Sequence, residues 1–320
     1  MRFSFLGKLS ATLALLASFA AQAQGYPDKP VRLIVPFPAG TGTDLTARII
    51  SQQLQVALGQ SFIVDNKPGA GGSIGAMEVV RAAPDGYTLL FASNSAAASN
   101  VALLKNMPYD PVKDLAPIAG ISDSMLVLMV RADHPAHNLE ELMAYVKQRP
   151  GKVSAGYGSA SAQASLAVLT KLGKVDVLPV PYKGIPQAVN DVMGGIIDFT
   201  FVDMGNALAQ AKGGKMRALG VTSAKRSSLM PDWPALAEKM PGFDITAWLA
   251  VLGPAGLHRD VVDRLNRTLQ QILQRPEVRE KLAITGTQPM PKAPDQLQSF
   301  IRAEVVKWVQ LAKDANLEPQ

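Results

Sequence analysis

Short β-rich runs alternate with helical segments along the whole chain. Strands that alternate with helices form parallel βαβ units covered by helices, so the pattern predicts an α/β fold. The first run leads into a glycine-containing loop and then into an amphipathic helix that Gly59 ends. The predicted strands are residues 31–37, 62–65, 87–92, 153–157, 177–180, 197–202 and 216–221.

Two long apolar stretches interrupt this alternation. Residues 118–130 are too many for one ordinary strand, and residues 245–252 precede a strongly helical tail. Extended segments on both sides of a central βα block predict a chain that crosses twice between two domains, with both chain ends in the first. A single continuous α/β domain fits the same pattern. The predicted helices of the tail are residues 258–274, 276–285 and 295–315.

The first residues predict export. Arg2 and Lys8 flank the start of an apolar run, residues 9–21, which ends in an Ala-Gln-Ala cleavage pattern. We expect a secretory signal peptide cleaved near Ala23. A transmembrane anchor is the alternative, but the run is shorter than the roughly 20 residues that a spanning helix needs.

Composition narrows the class of protein further. The chain has no cysteine, which excludes disulfides, thiolate metal sites, cysteine catalysis and a lipid anchor on cysteine. Its 32 Lys and Arg residues against 26 Asp and Glu residues give a formal net charge of +6. This mild excess suits a small anionic ligand and lacks the clustered basic residues of a nucleic-acid-binding protein.

Four loops share one construction: a strand, then small polar residues, then a helix start. A helix start leaves backbone N–H groups unpaired and carries about half a positive charge, so such loops bind carboxylate, phosphate or sulfate without Lys or Arg. In a parallel sheet they converge on one crevice. Each polar residue could instead merely cap its helix, as Asp44 could. The four loops are residues 40–44, 69–73, 92–95 and 158–161.

Motifs for catalysis are weak. The glycines of residues 69–75 do not have the G-x-G-x-x-G spacing of a dinucleotide loop, and no Walker loop is present. Ser159 is not in a G-x-S-x-G elbow, because Ser161 stands where the second glycine is needed. We therefore expect binding without chemistry, with no cofactor and no catalytic residue.

The three histidines give no strong sign of a metal site. His134 and His137 lie on either side of a proline, and we expect a solvated surface turn there rather than a metal pair with Asp133. His258 is expected at the start of a helix. The sequence thus predicts no bound metal.

An ordered set of short motifs runs from about residue 26 to the C-terminus. They are YPDKP at 26–30, PFPAG at 36–40, Thr43-Asp44, NKPGAGG at 66–72, DGYT at 85–88, VPYKG at 180–184 and LGVTSAKR at 219–226. Together they resemble the Bug family, the substrate-binding proteins of tripartite tricarboxylate transporters. The resemblance implies a two-lobed periplasmic binding protein of the Venus-flytrap kind (type II-like), with mixed sheets flanked by helices and two interdomain crossovers.

With the apolar pattern, the resemblance also implies an organisation and a function. Residues 1–23 form the signal peptide, 24–122 with 248–320 form lobe 1, and 123–247 form lobe 2. Such a protein captures a small carboxylate-bearing, possibly aromatic, ligand in the interlobe cleft and delivers it to a membrane permease. It would act as a monomer, and residues 121–124 and 247–250 would serve as hinges. A ligand-sensing subunit of a membrane signalling protein and a periplasmic enzyme are the alternatives.

Carried over residue by residue, the resemblance implies a set of ligand-binding positions. Asp203 would order water or receive a polar group of the ligand, or else merely cap the next helix; Lys183 would reach an anion or remain solvated. From lobe 1 the positions are Phe37, Gly40, Thr41, Gly42, Thr43, Asp44, Ala70, Gly71, Gly72, Ser73, Ser93 and Asn94. From lobe 2 they are Gly158, Ser159, Tyr182, Lys183, Gly184 and Asp203.

One loop departs from the family pattern. The family often reads like G-S-x-G-x-G-S-x-x-H-L after the second-lobe strand, whereas here Gly158 is followed by SASAQASL, without the later glycines and the histidine. We expect a changed second-lobe pocket in which Gln163 offers both donor and acceptor atoms. Tyr157 and Trp248 would stack on an aromatic ligand or, alternatively, be buried packing.

Overall fold

The computed structural model describes residues 25–227, 229–314, 317 and 319, so the predicted signal peptide lies outside the described residues. The strands are β1 (Val31–Val35), β2 (Phe62–Asn66), β3 (Thr88–Ser93), β4 (Leu115–Arg131), β5 (Ser154–Tyr157), β6 (Leu178–Pro181), β7 (Phe199–Asp203), β8 (Met216–Val221), β9 (Thr246–Pro254) and β10 (Thr287–Lys292). The α-helices are α1 (Gly42–Leu58), α2 (Ser73–Val80), α3 (Asn100–Leu103), α4 (Leu139–Lys147), α5 (Ala160–Gly173), α6 (Ile185–Met193), α7 (Met204–Lys212), α8 (Arg259–Gln274), α9 (Pro276–Ile284) and α10 (Pro294–Asp314). Short helical segments of other types are Ala70–Gly72, Ser95–Ser99 and Leu236–Glu238.

The strands form two mixed sheets that share β4. In the first lobe the order is β2-β1-β3-β9-β4-β10, with β1, β2 and β3 parallel and β9 antiparallel to β3 and β4. In the second lobe β5 pairs in parallel with β6 and β7, while β4 pairs antiparallel with β7 and β8. The predicted two-lobed α/β fold with mixed sheets is therefore confirmed.

The stretch predicted to be too long for one strand is a single strand of 17 residues. Its first part pairs with β9 and β10, and from Leu126 onward it pairs with β7 and β8. The expectation that this stretch is too long for one strand is wrong, because β4 forms part of two sheets in succession. Gly120 permits the crossing of β10, since a Cβ there would lie 2.6 Å from the Met290 carbonyl oxygen.

The two segments predicted as hinges lie side by side. Ser122 is opposite Leu249 and Ser124 is opposite Ala247 in the β4–β9 ladder. The chain thus passes between the lobes through two paired strands. The hinge role and the residue bounds of the lobes remain predictions.

Buried apolar side chains of the described residues form two clusters, one within lobe 1 and one that runs from lobe 1 into lobe 2. Val31, Leu33, Ile34 and Val35 of β1 are completely buried, as expected for a central parallel strand covered on both faces. Helix α1 ends at Gly59, which adopts the left-handed conformation, as the sequence predicts. Within the described residues, no helix combines the length and the apolar character needed to cross a bilayer.

Trp248 is buried packing rather than a ligand-stacking ring. It is 1% exposed on β9, and its ring meets Phe300 of α10 edge-on at 5.1 Å between centroids. Its indole Nε1 donates a hydrogen bond of 2.8 Å to the carboxylate of Glu304, which is itself 7% exposed. The prediction that Trp248 stacks on an aromatic ligand is therefore wrong, and the alternative of buried packing is right.

The prediction of a solvated turn is wrong for His134 and right for His137. His134 is buried, its Nδ1 accepts a 3.0 Å hydrogen bond from the Ala136 N–H, and its ring lies edge-on to Tyr145. Burial lowers the pKa of His134. Among the described residues, no cluster of three or more His, Asp or Glu side chains could hold a metal ion.

Candidate functional site

The carboxyl ends of strands from both sheets face one cavity between the lobes. The volume of this cavity is about 80 Å³. By the same measure a single water molecule needs about 10–15 Å³. We call this space the inner cavity. It is lined by Phe37, Thr41, Gly42, Thr43, Ser93, Asn94, Ser95, Ser124, Leu126, Gly158, Ser159, Ser161, Ile185, Asp203, Ala247, Leu249, Thr285 and Thr287.

The start of α1 forms the lobe 1 wall. The Thr41 hydroxyl caps the helix, since it accepts from the Asp44 N–H at 3.3 Å and donates to the Pro38 carbonyl at 2.9 Å. The N–H of Gly42 donates to Asp203 of the other lobe. The N–H of Thr43 has no partner among the described residues, as is usual in the first turn of a helix, and Thr43 lines the inner cavity.

Asp44 and Gly40, both predicted to contact the ligand, do not line the inner cavity. The Asp44 carboxylate accepts 3.0 Å hydrogen bonds from the Gly40 N–H and the Asn66 amide, and it pairs with Arg48. The same Asn66 amide donates to the Phe37 carbonyl at 3.0 Å. Asp44 therefore holds the loop from residue 37 to the helix start in place.

The electrostatics of Asp44 follow from these contacts. Burial alone would raise the pKa of the Asp44 carboxyl, but the hydrogen bonds from Arg48, Gly40 and Asn66 outweigh burial and hold the pKa below its ordinary value. Ionised Asp44 thus stabilises the fold at neutral pH.

We expect Asp44→Asn to lower the free energy of unfolding near neutral pH. Because the folded pKa is depressed, the contribution of the carboxylate is fully present above the unfolded value of about 3.9 and is lost as the pH falls through the folded value. Urea unfolding from about pH 7 down to about pH 3 should therefore show the gap between the wild type and Asp44→Asn shrinking with acid. A gap that is constant with pH would contradict the assignment.

Serine hydroxyls form the second element of the inner cavity. The Ser161 hydroxyl accepts from the Asn94 amide at 2.9 Å, and the Ser95 hydroxyl accepts from the Ala160 N–H at 3.3 Å. The Ser159 hydroxyl caps α5 by accepting from the Ala162 N–H at 3.2 Å. In these contacts each hydroxyl oxygen acts as an acceptor, which leaves its proton free to be donated into the cavity.

Ser93 is the residue lining the inner cavity whose side chain has a buried polar atom without a partner among the described residues. It ends β3 and is 6% exposed, and its hydroxyl is buried without a hydrogen-bond partner among the described residues. Buried polar groups are almost always paired in folded proteins. Because Ser93 also lines the inner cavity, its hydroxyl is a candidate hydrogen-bond donor to a ligand there.

Asp203 fills the capping role that was one of its two predicted alternatives, and it also faces the cavity. Its carboxylate accepts from the N–H of Asn206 at 3.1 Å at the start of α7. The Asn206 amide in turn donates to the Gly40 carbonyl across the cleft at 3.2 Å. Burial raises the pKa of Asp203, and the hydrogen bonds from Asn206 and Gly42 oppose that shift without reversing it.

A second space opens beside the inner cavity, and we call it the outer groove. It measures about 500 Å³ and shares Gly158 and Ser159 with the inner cavity. The predicted residues Ala70, Gly71, Tyr182 and Lys183 line this groove instead of the inner cavity, together with Tyr157 and Gln163.

Besides Gly40 and Asp44, three further predicted residues line neither space. The Ser73 hydroxyl donates to the Ala70 carbonyl at 2.9 Å, and a Cβ on Gly72 would lie 3.3 Å from Pro36. Gly184 precedes α6, and a Cβ there would lie 2.9 Å from the ring of Pro38 in the other lobe. These positions shape the loops and the contact between the lobes.

Half of the residues that line the inner cavity were not among the ligand-binding positions predicted from the sequence. Ser95 and Ser161 lie within the predicted anion-binding loops 92–95 and 158–161, but they were not among the ligand-binding positions implied by the family resemblance. The others lie on the two crossing strands, at the start of α6 or near the end of α9, where no local motif marks them. They are Ser124, Leu126, Ile185, Ala247, Leu249, Thr285 and Thr287.

Comparison with known proteins agrees with this geometry. Residues 46–317 match the family described as "Tripartite tricarboxylate transporter family receptor", TctC. Protein BugT of Bordetella pertussis is 36% identical over 315 residues, which covers 97% of this chain and 95% of BugT. The resemblance to the Bug family is therefore confirmed.

Solved structures are similar over nearly the full length. The structure "R. palustris Rpa4515 with adipate" superposes with a TM-score of 0.90 at 30% identity, covering 92% of this chain and 100% of that one. The periplasmic binding protein BugD gives a TM-score of 0.87 at 34% identity, covering 92% of this chain and 100% of BugD. The chain thus belongs to the tripartite tricarboxylate transporter receptor family and is a two-lobed solute-binding protein.

Proposed function

We propose that this protein captures a small organic acid in the inner cavity, in the periplasm, and delivers it to the membrane permease of a tripartite tricarboxylate transporter. It does so as a binding protein without a catalytic step. The observation that carries the proposal is that Ser93, whose buried hydroxyl has no partner among the described residues, and Thr43, at the start of α1, line the same cavity.

The donors of the inner cavity favour a carboxylate. A carboxylate oxygen accepts hydrogen bonds and donates none, which matches walls built from serine protons and a helix-start N–H. Among the lining residues there is no Lys, Arg or His, so neutral donors and the partial charge at the start of α1 would balance the anion. Adipate in the R. palustris relative is a ligand of this chemistry.

Contacts across the cleft support capture by closure. Asn94 bonds Ser161, and the Asn206 amide bonds the Gly40 carbonyl, so lobe 1 and lobe 2 are joined around the inner cavity. A ligand that contacts both walls binds the closed form better than the open form and so increases the closed population. The membrane partner would then receive a closed, loaded protein.

Isothermal titration of the folded protein with mono-, di- and tricarboxylates and aromatic acids tests the proposal, with adipate as the first ligand. Saturable binding of at least one acid, with no turnover of it detected by chromatography, is the expected result. Absence of binding by every acid would refute the carboxylate assignment. Uptake of the bound acid by cells that contain the permease, and loss of uptake without this protein, tests delivery.

Ser93→Ala should weaken ligand binding and leave stability nearly unchanged. The hydroxyl has no partner within the protein to lose, whereas a hydrogen bond to a charged group is worth about 1.5–3 kcal/mol, or roughly tenfold to hundredfold in affinity. Titration with the acid that the wild type binds measures the change, and thermal unfolding measures stability.

Ser122→Ala is the matched control for this experiment. Ser122 is also completely buried with an orphaned hydroxyl, but it does not line the inner cavity. We expect its affinity to equal that of the wild type. Equal losses in Ser93→Ala and Ser122→Ala would show that Ser93 does not contact the ligand.

A further inference from the structure

Asp203 is the one ionisable side chain among the residues that line the inner cavity. Its carboxylate is held by neutral donors: the Asn206 N–H, the Asn206 amide at 2.9 Å and the Gly42 N–H. Asp203 is half-buried, and a carboxylate partly withdrawn from water without a cationic partner is disfavoured in its charged form. Its pKa is accordingly raised above the ordinary value.

The proposed anion site lies next to this carboxylate. Asp203 already accepts from the N–H of Gly42, and the next N–H along the same helix start, that of Thr43, is the unpaired donor. A ligand carboxylate on Thr43 would therefore be within about 6 Å of Asp203, a range in which a like charge disfavours ionisation. Two carboxylates this close in a small cavity do not readily remain charged together.

No nearby charge offsets this repulsion. Arg48 is engaged by Asp44, and the Arg217 guanidinium donates to backbone carbonyls of residues 132, 134 and 136. The largest contributions to the shift of the pKa of Asp203 are burial and the hydrogen bonds from Asn206, Gly42 and its own backbone, and no charged group on the elements packed around Asp203 is among them. The charged groups on those elements are Asp44 and Arg48 on α1, Asp123 and Arg131 on β4, Lys171 on α5, Asp191 on α6, Lys212 on α7, Arg217 on β8, and Glu277, Arg279, Glu280 and Lys281 on α9.

We propose that capture of an anionic ligand in the inner cavity is coupled to the uptake of one proton from solvent by the Asp203 carboxylate. This inference rests on the proposed function. The proton forms an O–H on Asp203, so the cavity gains one negative charge from the ligand and loses one from the protein. The loaded protein thus carries its ligand together with a proton, and Asp203 sets the pH dependence of binding.

Titration calorimetry with adipate in bis-Tris and in Tris tests the coupling, because these cationic buffers differ in ionisation enthalpy and add no competing acid. If adipate does not bind, the acid that the wild type binds in the panel is used. We expect the binding enthalpy of the wild type to differ between the buffers in the sense of proton uptake. We also expect affinity to rise as the pH falls, by up to about tenfold per pH unit.

Asp203→Asn identifies the group that takes up the proton. Asparagine also caps a helix, so α7 keeps its start, and the neutral side chain cannot repel the ligand. We expect a binding enthalpy that no longer depends on the buffer and an affinity that no longer rises as the pH falls. Thermal unfolding checks the fold, and Asp203→Ser, another capping residue, replaces the variant if it fails to fold.

Asp123→Asn is the control, since burial also raises the pKa of half-buried Asp123, which does not line the inner cavity. It should keep the buffer dependence. A wild-type enthalpy that is the same in both buffers, or an Asp203→Asn variant that still takes up a proton, would overturn the inference while leaving the proposed function standing. Failure of every acid to bind the wild type would refute both.

Discussion

Trp248→Ala is expected to lower the free energy of unfolding by about 3–5 kcal/mol, the usual range for removing a fully buried tryptophan. Trp248 is 1% exposed and connects β9 to α10 through its edge-on contact with Phe300. Its loss would also leave the buried Glu304 carboxylate without the indole N–H, 2.8 Å away. An unpaired buried acceptor adds to the cost of the cavity.

Urea unfolding followed by circular dichroism measures this change. Val306→Ala is the matched control, because Val306 lies on the same helix α10 but is 70% exposed, and we expect its effect to be within about 0.5 kcal/mol. A loss below about 1 kcal/mol for Trp248→Ala would mean that β9 and α10 are not joined through this ring.

Gly158→Ala is expected to weaken ligand binding more than tenfold and to lower the free energy of unfolding by roughly 1–3 kcal/mol, as overpacking does. Gly158 forms part of the wall of both the inner cavity and the outer groove. A Cβ there would lie 2.6 Å from the backbone nitrogen of Ile185 and would overlap Gly184. Because backbone cannot rotate away as a side chain can, the start of α6 must move.

Gly184→Ala tests the effect of hindered cleft closure on binding, separately from the effect of altered packing within lobe 2. Its added Cβ would lie 2.9 Å from the ring of Pro38, which belongs to lobe 1, so the clash exists only when the cleft is closed. We expect weaker binding with an unchanged unfolding midpoint. Gly25→Ala, with nothing within 4 Å of its Cβ, should change neither quantity.

Titration calorimetry measures the ligand affinity of these glycine variants, and thermal unfolding measures their stability. If Gly158→Ala binds its acid normally, the backbone at residue 158 does not form part of the binding wall. If Gly184→Ala unfolds earlier than the wild type, its contact with Pro38 is not confined to the closed form.

Local elements were well predicted because their causes are local. The helices of the C-terminal tail were each placed to within one residue at both ends, and Gly59 ends α1 as expected. Strand β10 was missed, since two prolines within Thr287–Lys292 hide an edge strand that pairs with β4. The burial of His134 was missed because the side chains that pack against its ring, including Tyr145, come from other segments of the chain.

The candidate site could be predicted in part. Loops at helix starts were found because glycine and small polar residues must stand there in the sequence. The division into an inner cavity and an outer groove could not be found, because it depends on how the two lobes meet. Asp44 shows the difference: its sequence position suits a ligand contact, but its carboxylate holds the loop through Gly40 and Asn66.

The sequence by itself determined the α/β class, the strand-to-helix loops and the family, since periodicity, glycine placement and motif order are written in neighbouring residues. The tertiary structure decided which of those loops share a cavity, that one strand serves both sheets, and that Asp203 meets the start of α1. These facts depend on contacts such as Asn206 to Gly40, which lie 166 residues apart in the chain. Only the packing of two lobes against each other creates such contacts.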